Sequence, residues 1–233
     1  AELAAEHGFQ MAIQGIGDRA ARKLLDIYQE VFEANPELSD LRWRIEHCQV
    51  IHPDDIPRFA DSGASIVHCP QSNLKLASGF CPVGALLDAG VNVAIGTDGA
   101  ASNNDLDLLA EAQTAALLAK AVAGDARVLD AAQALEMMTL NGARALGMAE
   151  DIGSIEVGKQ ADLCAIDFET PATQPLHNVV SQLLYAASSG QVSDVWIAGR
   201  RLLNSGRLTT IDEQEVIASA GRWCERLARL ETA

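Results

Sequence analysis

Val91-Asn92-Val93-Ala94-Ile95-Gly96-Thr97-Asp98-Gly99-Ala100-Ala101-Ser102-Asn103-Asn104-Asp105 is the stretch on which the fold turns. A short apolar run that ends in Thr-Asp-Gly, passes through small and polar residues and enters helical sequence near Asp105 has the pattern of a buried parallel strand. Such a strand delivers one carboxylate, Asp98, to the loop beyond its C-terminal end. The simpler alternative is an Asp-Gly turn that caps the next helix. The sequence upstream bears on the choice.

Residues 8–16 read as a strand, and Asp18 is placed to cap a helix on one face of which Ala21, Leu24, Leu25, Tyr28, Val31 and Phe32 recur. Residues 42–48 read as a second strand. His52-Pro53-Asp54-Asp55 leads from it into a short helix ended by Gly63. A third strand over residues 64–69 runs into the polar loop Pro70-Gln71-Ser72-Asn73, followed by a short helix around residues 83–88. The stretch quoted first is the fourth strand. Four consecutive strand–helix units imply a parallel sheet with right-handed crossovers. The expected class is α/β, with four of the eight units of a (β/α)8 barrel, in which groups just past the strand C-termini carry the chemistry. Half a barrel leaves two strand edges and an apolar inner face uncovered. A homo-oligomer, or a complementing half, is the partner this predicts.

Two alanine- and leucine-rich helices are expected over residues 105–123 and 130–146. The texture then changes. Residues 161–167 read as a turn and strand, 178–187 as a helix, 192–198 and 201–203 as a hairpin about Gly199-Arg200, and 212–230 as a terminal helix. The expected division is therefore 1–147 for the half barrel with its following helices and 148–233 for the remainder.

Composition excludes several classes. The chain has 233 residues, 48% apolar, with a net charge of -15 and a pI near 4.6. Nothing resembles a clustered basic stripe, so polymeric nucleic acid is not an expected partner. No run is long or apolar enough to span a membrane. Cys48, Cys69, Cys81, Cys164 and Cys224 are odd in number and lack CxxC spacing, which fits reduced thiols and a cytoplasmic location. The first residue is not Met and the chain opens directly in helical sequence, as a piece of a longer protein would.

His47 ends Arg-Ile-Glu-His-Cys and His68 ends Ser-Ile-Val-His-Cys-Pro, so both fall at strand ends on the side of Asp98. Imidazole and carboxylate at such positions are the usual zinc ligands of hydrolytic enzymes. A structural hydrogen bond near a strand terminus is the competing reading for each histidine. Cys48 and Cys69, one residue on, are expected to pack.

Five motifs carry a resemblance: His68-Cys-Pro-Gln-Ser-Asn-Leu-Lys-Leu-Ala-Ser-Gly79, Gly96-Thr-Asp-Gly-Ala-Ala-Ser-Asn-Asn-Asp105, Asn141-Gly-Ala-Arg-Ala-Leu-Gly147, Gly153-Ser-Ile-Glu-Val-Gly-Lys-Gln-Ala-Asp162 and Asp194-Val-Trp-Ile-Ala-Gly-Arg-Arg201. From about residue 63 onward the chain resembles the amidohydrolase superfamily, and within it the methylthioadenosine/S-adenosylhomocysteine deaminases and their triazine-hydrolase relatives. The first sixty residues, with Ala12-Ile-Gln-Gly-Ile-Gly-Asp-Arg-Ala20 and Arg44-Ile-Glu-His-Cys-Gln49, resemble the amide- and formamide-hydrolase-like branch. The chain thus looks like a splice of two relatives joined near residues 58–63, or a fragment lacking the N-terminal half.

The resemblance implies the C-terminal half of a metal-bearing amidohydrolase barrel, additional helices and a small β-sandwich remnant. It implies zinc, a nucleoside-like small-molecule substrate and hydrolysis of a C–N bond. Carried over, Asp98 is a metal ligand and the base, His47 a metal ligand and catalytic residue beside the attacking water, and Ser102 and His68 substrate contacts. Departures accompany the match. The strand-1 His-x-His pair has no counterpart, Gln14 replaces the strand-5 histidine, and Gly17 stands where the deaminase glutamate would. Three readings remain open: a deaminase of adenine-type nucleosides, an amide or formamide hydrolase, and a catalytically incomplete half barrel.

Overall fold

The computed structural model describes residues 1–37 and 41–231, which form two compact units. The first comprises residues 1–159 and 169–189, the second residues 160–168 and 190–233.

The first unit begins with a one-turn helix, α1 (Glu2–Glu6), and β1 (Ala12–Gly15). In α2 (Asp18–Ala34), Ala21, Leu24, Leu25, Tyr28 and Val31 are buried, as their three- and four-residue spacing requires. Gly17, at φ 97°, is the N-cap; Asp18 falls in the first turn and makes no side-chain cap, contrary to its expected role. The helix is locked by aromatic packing. Tyr28 meets Trp43 edge-on at 4.8 Å, and the Trp43 indole donates to Phe9 O at 3.0 Å.

Then follow β2 (Arg44–His47), α3 (Ile56–Ser62), β3 (Ser65–His68), α4 (Pro70–Lys75), α5 (Val83–Asp88) and β4 (Val93–Ile95). The sheet is parallel in the order β1-β2-β3-β4. Its register aligns Ile13, Ile45, Ile66 and Val93 across four strands. Ile45, Ile66 and Val93 are fully buried, each contributing about 1.5–3 kcal/mol as an upper estimate. Register is set by this row, since a one-residue slip would turn it to the opposite face. Gly63 closes α3 in the left-handed region at φ 67°.

Two local expectations differ from the structure. The expected polar loop at Pro70–Asn73 is the start of α4, with Pro70 in the first helical position. Its side chains show no amphipathic period because Ser72 and Asn73 are themselves buried. The expected single helix over 130–146 is two, α7 (Ala131–Met138) and α8 (Leu140–Leu146), broken at Thr139. The buried Asn141 amide donates to Val93 O at 3.0 Å, and this docking onto β4 sets a new axis for α8. Before them, α6 (Leu108–Ala123) is capped by Asp107, which accepts from the N–H groups of Leu109 and Ala110.

The boundary expected at 147 falls inside the first unit. Met148 N–H donates to Ala143 O at 2.8 Å, and a Cβ at Gly153 would lie 2.7 Å from Ala143 Cβ, so the segment after Gly147 folds back on α8. The second unit holds β5 (Leu163–Ile166), and the chain re-enters the first for α9 (Val179–Tyr185), which packs on α6 and α7. The second unit continues with β6 (Val192–Ile197), β7 (Arg200–Asn204), β8 (Arg207–Leu208) and α10 (Glu213–Glu231). Its strands make one antiparallel sheet in the order β5-β6-β7-β8. The β6–β7 turn lies at Ala198-Gly199, both with positive φ, one residue earlier than expected.

Candidate active site

The C-terminal ends of β2, β3 and β4 bring together His47, His68 and Asp98. Gly96 lets β4 leave the sheet close to β3, since a Cβ there would meet Val67 Cγ1 at 2.8 Å. Asp98 follows in the left-handed region, φ 59°, and its side chain is exposed. One carboxylate oxygen, Oδ2, accepts from Ser102 Oγ at 2.6 Å and from Ser72 Oγ at 2.7 Å. These two hydroxyls, Ser102 first, hold the Asp98 carboxyl below the usual carboxylate range, with lesser help from the Gly99 N–H and His47. The group is an ionised acceptor held in a fixed position.

His47, 4% exposed with φ 71°, has Nδ1 3.1 Å from Asn73 Oδ1. His68 is 1% exposed and neither ring nitrogen has a protein partner among the described residues. Burial, then proximity to His47, pulls its pKa down to about 3, so the ring is neutral. The expected substrate contact therefore lies beneath the surface, whereas Ser102 lies on it. Cys69 packs as expected, its thiol pushed up to about 12, chiefly by burial.

Three participants had no role in the sequence reading. Ser72 and Asn73 come from α4. Glu111, fully buried on α6, accepts from the Gln71 N–H at 3.0 Å and from Asn103 Nδ2. Its pKa is raised to about 7, first by burial, against the pull of its two donors. The signal for Glu111 was present: it shares a helical row with Ala115 and Ala119, both buried.

Zinc can be tested against these donors. Among the described residues no group of three or more His, Cys, Asp and Glu side chains could hold a metal ion, and Gln14 at the end of β1 is exposed. A catalytic zinc takes three protein ligands. The residues present do not fit a complete zinc site.

Comparison with known proteins places this geometry in a lineage. Residues 1–202 match the amidohydrolase family. This chain belongs to that family. It is 54% identical over 181 residues to a 5-methylthioadenosine/S-adenosylhomocysteine deaminase from Teredinibacter turnerae, covering 78% of this chain and 41% of that protein. It is 49% identical over 181 residues to the same-named protein from Moorella thermoacetica, covering 78% and 42%. Among solved structures, an adenosine deaminase from Xanthomonas campestris with bound zinc is 47% identical, with a TM-score of 0.87 over 97% of this chain and 53% of that one. The zinc complex of an atrazine chlorohydrolase from Arthrobacter aurescens is 25% identical, with a TM-score of 0.82 over 94% and 49%. This amidohydrolase chain thus spans about two fifths of the length of the curated relatives it matches.

Proposed function

We propose that the chain is the C-terminal half of an amidohydrolase barrel, from a protein that hydrolyses the exocyclic C–N bond of adenine-type nucleosides such as methylthioadenosine or S-adenosylhomocysteine. The observation that carries the reading is Asp98, an exposed ionised carboxylate fixed by two serine hydroxyls at the end of β4. In this reading Asp98 takes the proton of the attacking water and returns it to the amino group, which departs as ammonia, while His47 lies beside the tetrahedral adduct and Ser102 contacts substrate. The deaminase and adenosine deaminase relatives support the substrate class. Asp98 and His47 are two metal donors at most, so further ligands have to come from outside the described residues.

A second reading has its own support: exposed Gln14 and the outer edges of β1 and β4, which meet no further strand among the described residues, favour a half barrel that is inactive until a second copy or a complementing half covers it. A cytoplasmic location belongs to the same proposal, supported by five free cysteines.

Ammonia release from methylthioadenosine and S-adenosylhomocysteine, measured beside hydrolysis of N-acyl substrates, tests both readings, with molar mass followed by light scattering. The expected outcome is an associated chain that releases no ammonia alone. Deamination that appears when a complementing half is added, and disappears with Asp98→Asn, supports the deaminase reading. Cleavage of N-acyl substrates instead overturns it, and a stable monomer overturns the association.

A further inference from the structure

Asp98 owes its position to two elements, the helix α4 and the loop after β4. Ser72 comes from α4, after β3, and Ser102 from the loop after β4. Both donate to the same carboxylate oxygen. At the surface α4 is also tied to the loop after β4 by Lys75 Nζ, which donates to Asn104 Oδ1 at 2.6 Å and Ala101 O at 3.3 Å. Glu111 bridges them from below. One of its oxygens accepts the Gln71 backbone N–H, next to Ser72, and the other accepts Asn103 Nδ2, next to Ser102. The polarity of the bridge is forced. A backbone N–H can only donate, and the Asn103 amide is oriented by its own oxygen, which accepts the Leu106 N–H at 3.2 Å. Glu111 must therefore accept at both of its terminal atoms, Oε2 from Gln71 and Oε1 from Asn103, which a carboxylate does and an amide, with NH2 at one of those positions, does not.

We propose that Glu111 is a positioning residue, a buried clasp that fixes the distance between the Ser72 and Ser102 donors and through them the orientation of Asp98. The proposal rests on the reading of Asp98 as the base. It does not depend on activity for its test. Burying a carboxylate costs stability, and its place at 0% exposure between α4 and that loop, rather than the apolar side chain its row on α6 would otherwise carry, is what the clasp explains.

The experiment is amide hydrogen exchange and the Asp98 carboxyl 13C resonance, read by NMR on the full chain. Glu111→Gln can keep only one of the two bonds, since its new NH2 group faces a donor. A lost buried hydrogen bond corresponds to roughly 5- to 150-fold faster local opening. We expect that acceleration at the amides of Gln71, Ser102 and Asn103, a displaced Asp98 resonance, and unchanged exchange in β2 and β3. The double variant Glu111→Gln/Asn103→Asp reverses the bridge: the introduced amide accepts from Gln71 and donates to the introduced carboxylate, whose other oxygen still accepts from Leu106. It should restore both readouts. If Glu111→Gln does not fold, Asn103→Ala serves instead and should loosen Ser102 while leaving the Gln71 amide protected. An unmoved Asp98 resonance, equal acceleration throughout the sheet, or a double variant no better than the single would each overturn the proposal. Loss of the deaminase reading would leave all of these measurements unaffected.

Discussion

Lowering the pH should destabilise this protein through His68, by an amount the structure sets. The ring is buried with its pKa pulled from 6.5 to about 3, first by burial and then by His47. The folded chain thus binds the proton more weakly than the unfolded chain. Stability is intact above pH 6.5, falls as the pH drops below it, and the loss is complete near pH 3. Each pH unit in that window is worth about 1.4 kcal/mol, so the whole interval is worth about 5 kcal/mol. At pH 5.5 the loss from this one group is about 1.4 kcal/mol. Urea unfolding at pH 7.5 and 5.5, on the natural chain and on His68→Gln, isolates the term because other titrations cancel between the two proteins. The natural chain should lose about 1.4 kcal/mol more than the variant over that step. Equal losses would mean that His68 titrates normally and reaches solvent, as the substrate contact expected from the sequence would.

Other consequences follow from particular contacts. Asp55, 2% exposed, pairs with Arg22 Nε at 2.8 Å and Arg58 Nη1 at 3.2 Å; Asp55→Ala removes both pairs but leaves only partly exposed arginines, and should cost about 1.5–3 kcal/mol in denaturant unfolding, against a smaller loss for Arg22→Ala, in which Arg58 still pairs Asp55. Trp43→Ala removes a ring packed on Tyr28 and Phe32 and should cost about 3–5 kcal/mol, measured the same way; a loss under 1 kcal/mol would contradict the packing. Zinc retained after dialysis against a mild chelator should be well below one per chain and should rise in Gln14→His; stoichiometric zinc in the natural chain would show a ligand set other than Asp98 and His47.

β3 and β4 were legible as short, largely apolar runs closed by turn residues, and the buried row, Ile45, Ile66 and Val93, leaves one workable register. Asp98 was legible as a carboxylate delivered to the loop beyond such a strand, although an Asp-Gly turn fitted the same residues. The family motifs added the lineage, which neither periodicity nor composition contains. What escaped was everything held by tertiary polar contacts. In α4, Pro70-Gln71-Ser72-Asn73 has loop composition, and its helical turn is held in place by the Gln71 N–H bond to Glu111 and the Ser72 bond to Asp98 beside its own backbone bonds. At the division of α7 from α8 the Thr139 hydroxyl donates back to Leu135 O at 2.7 Å, and Asn141 reaches Val93 O, a contact no sequence pattern shows. The burial of His68 was equally hidden, since a histidine at a strand end reads the same whether it faces the loop or the layer beneath.

Function and stability should separate at Asp98, and the geometry says by how much. His47, Cys48 and Asp98 all lie in the left-handed region, at φ 71°, 47° and 59°, where a non-glycine residue costs of the order of 1–3 kcal/mol. Aspartate and asparagine tolerate that region better than most residues. Both serine hydroxyls donate to Oδ2 alone, so the amide oxygen of Asp98→Asn can take its place and accept both. Stability in that variant should stay within about 1 kcal/mol of the natural chain. Asp98→Ala is different. It leaves the fully buried Ser72 hydroxyl without its acceptor and puts a Cβ-bearing residue with no local hydrogen bond at φ 59°, for a combined loss of about 2–4 kcal/mol. Both variants remove the base, so deamination by the complemented protein should vanish in each while only the alanine variant unfolds early. If asparagine proves as destabilising as alanine, the two serines are not holding Asp98 through one shared oxygen, and the account of how this site is fixed fails.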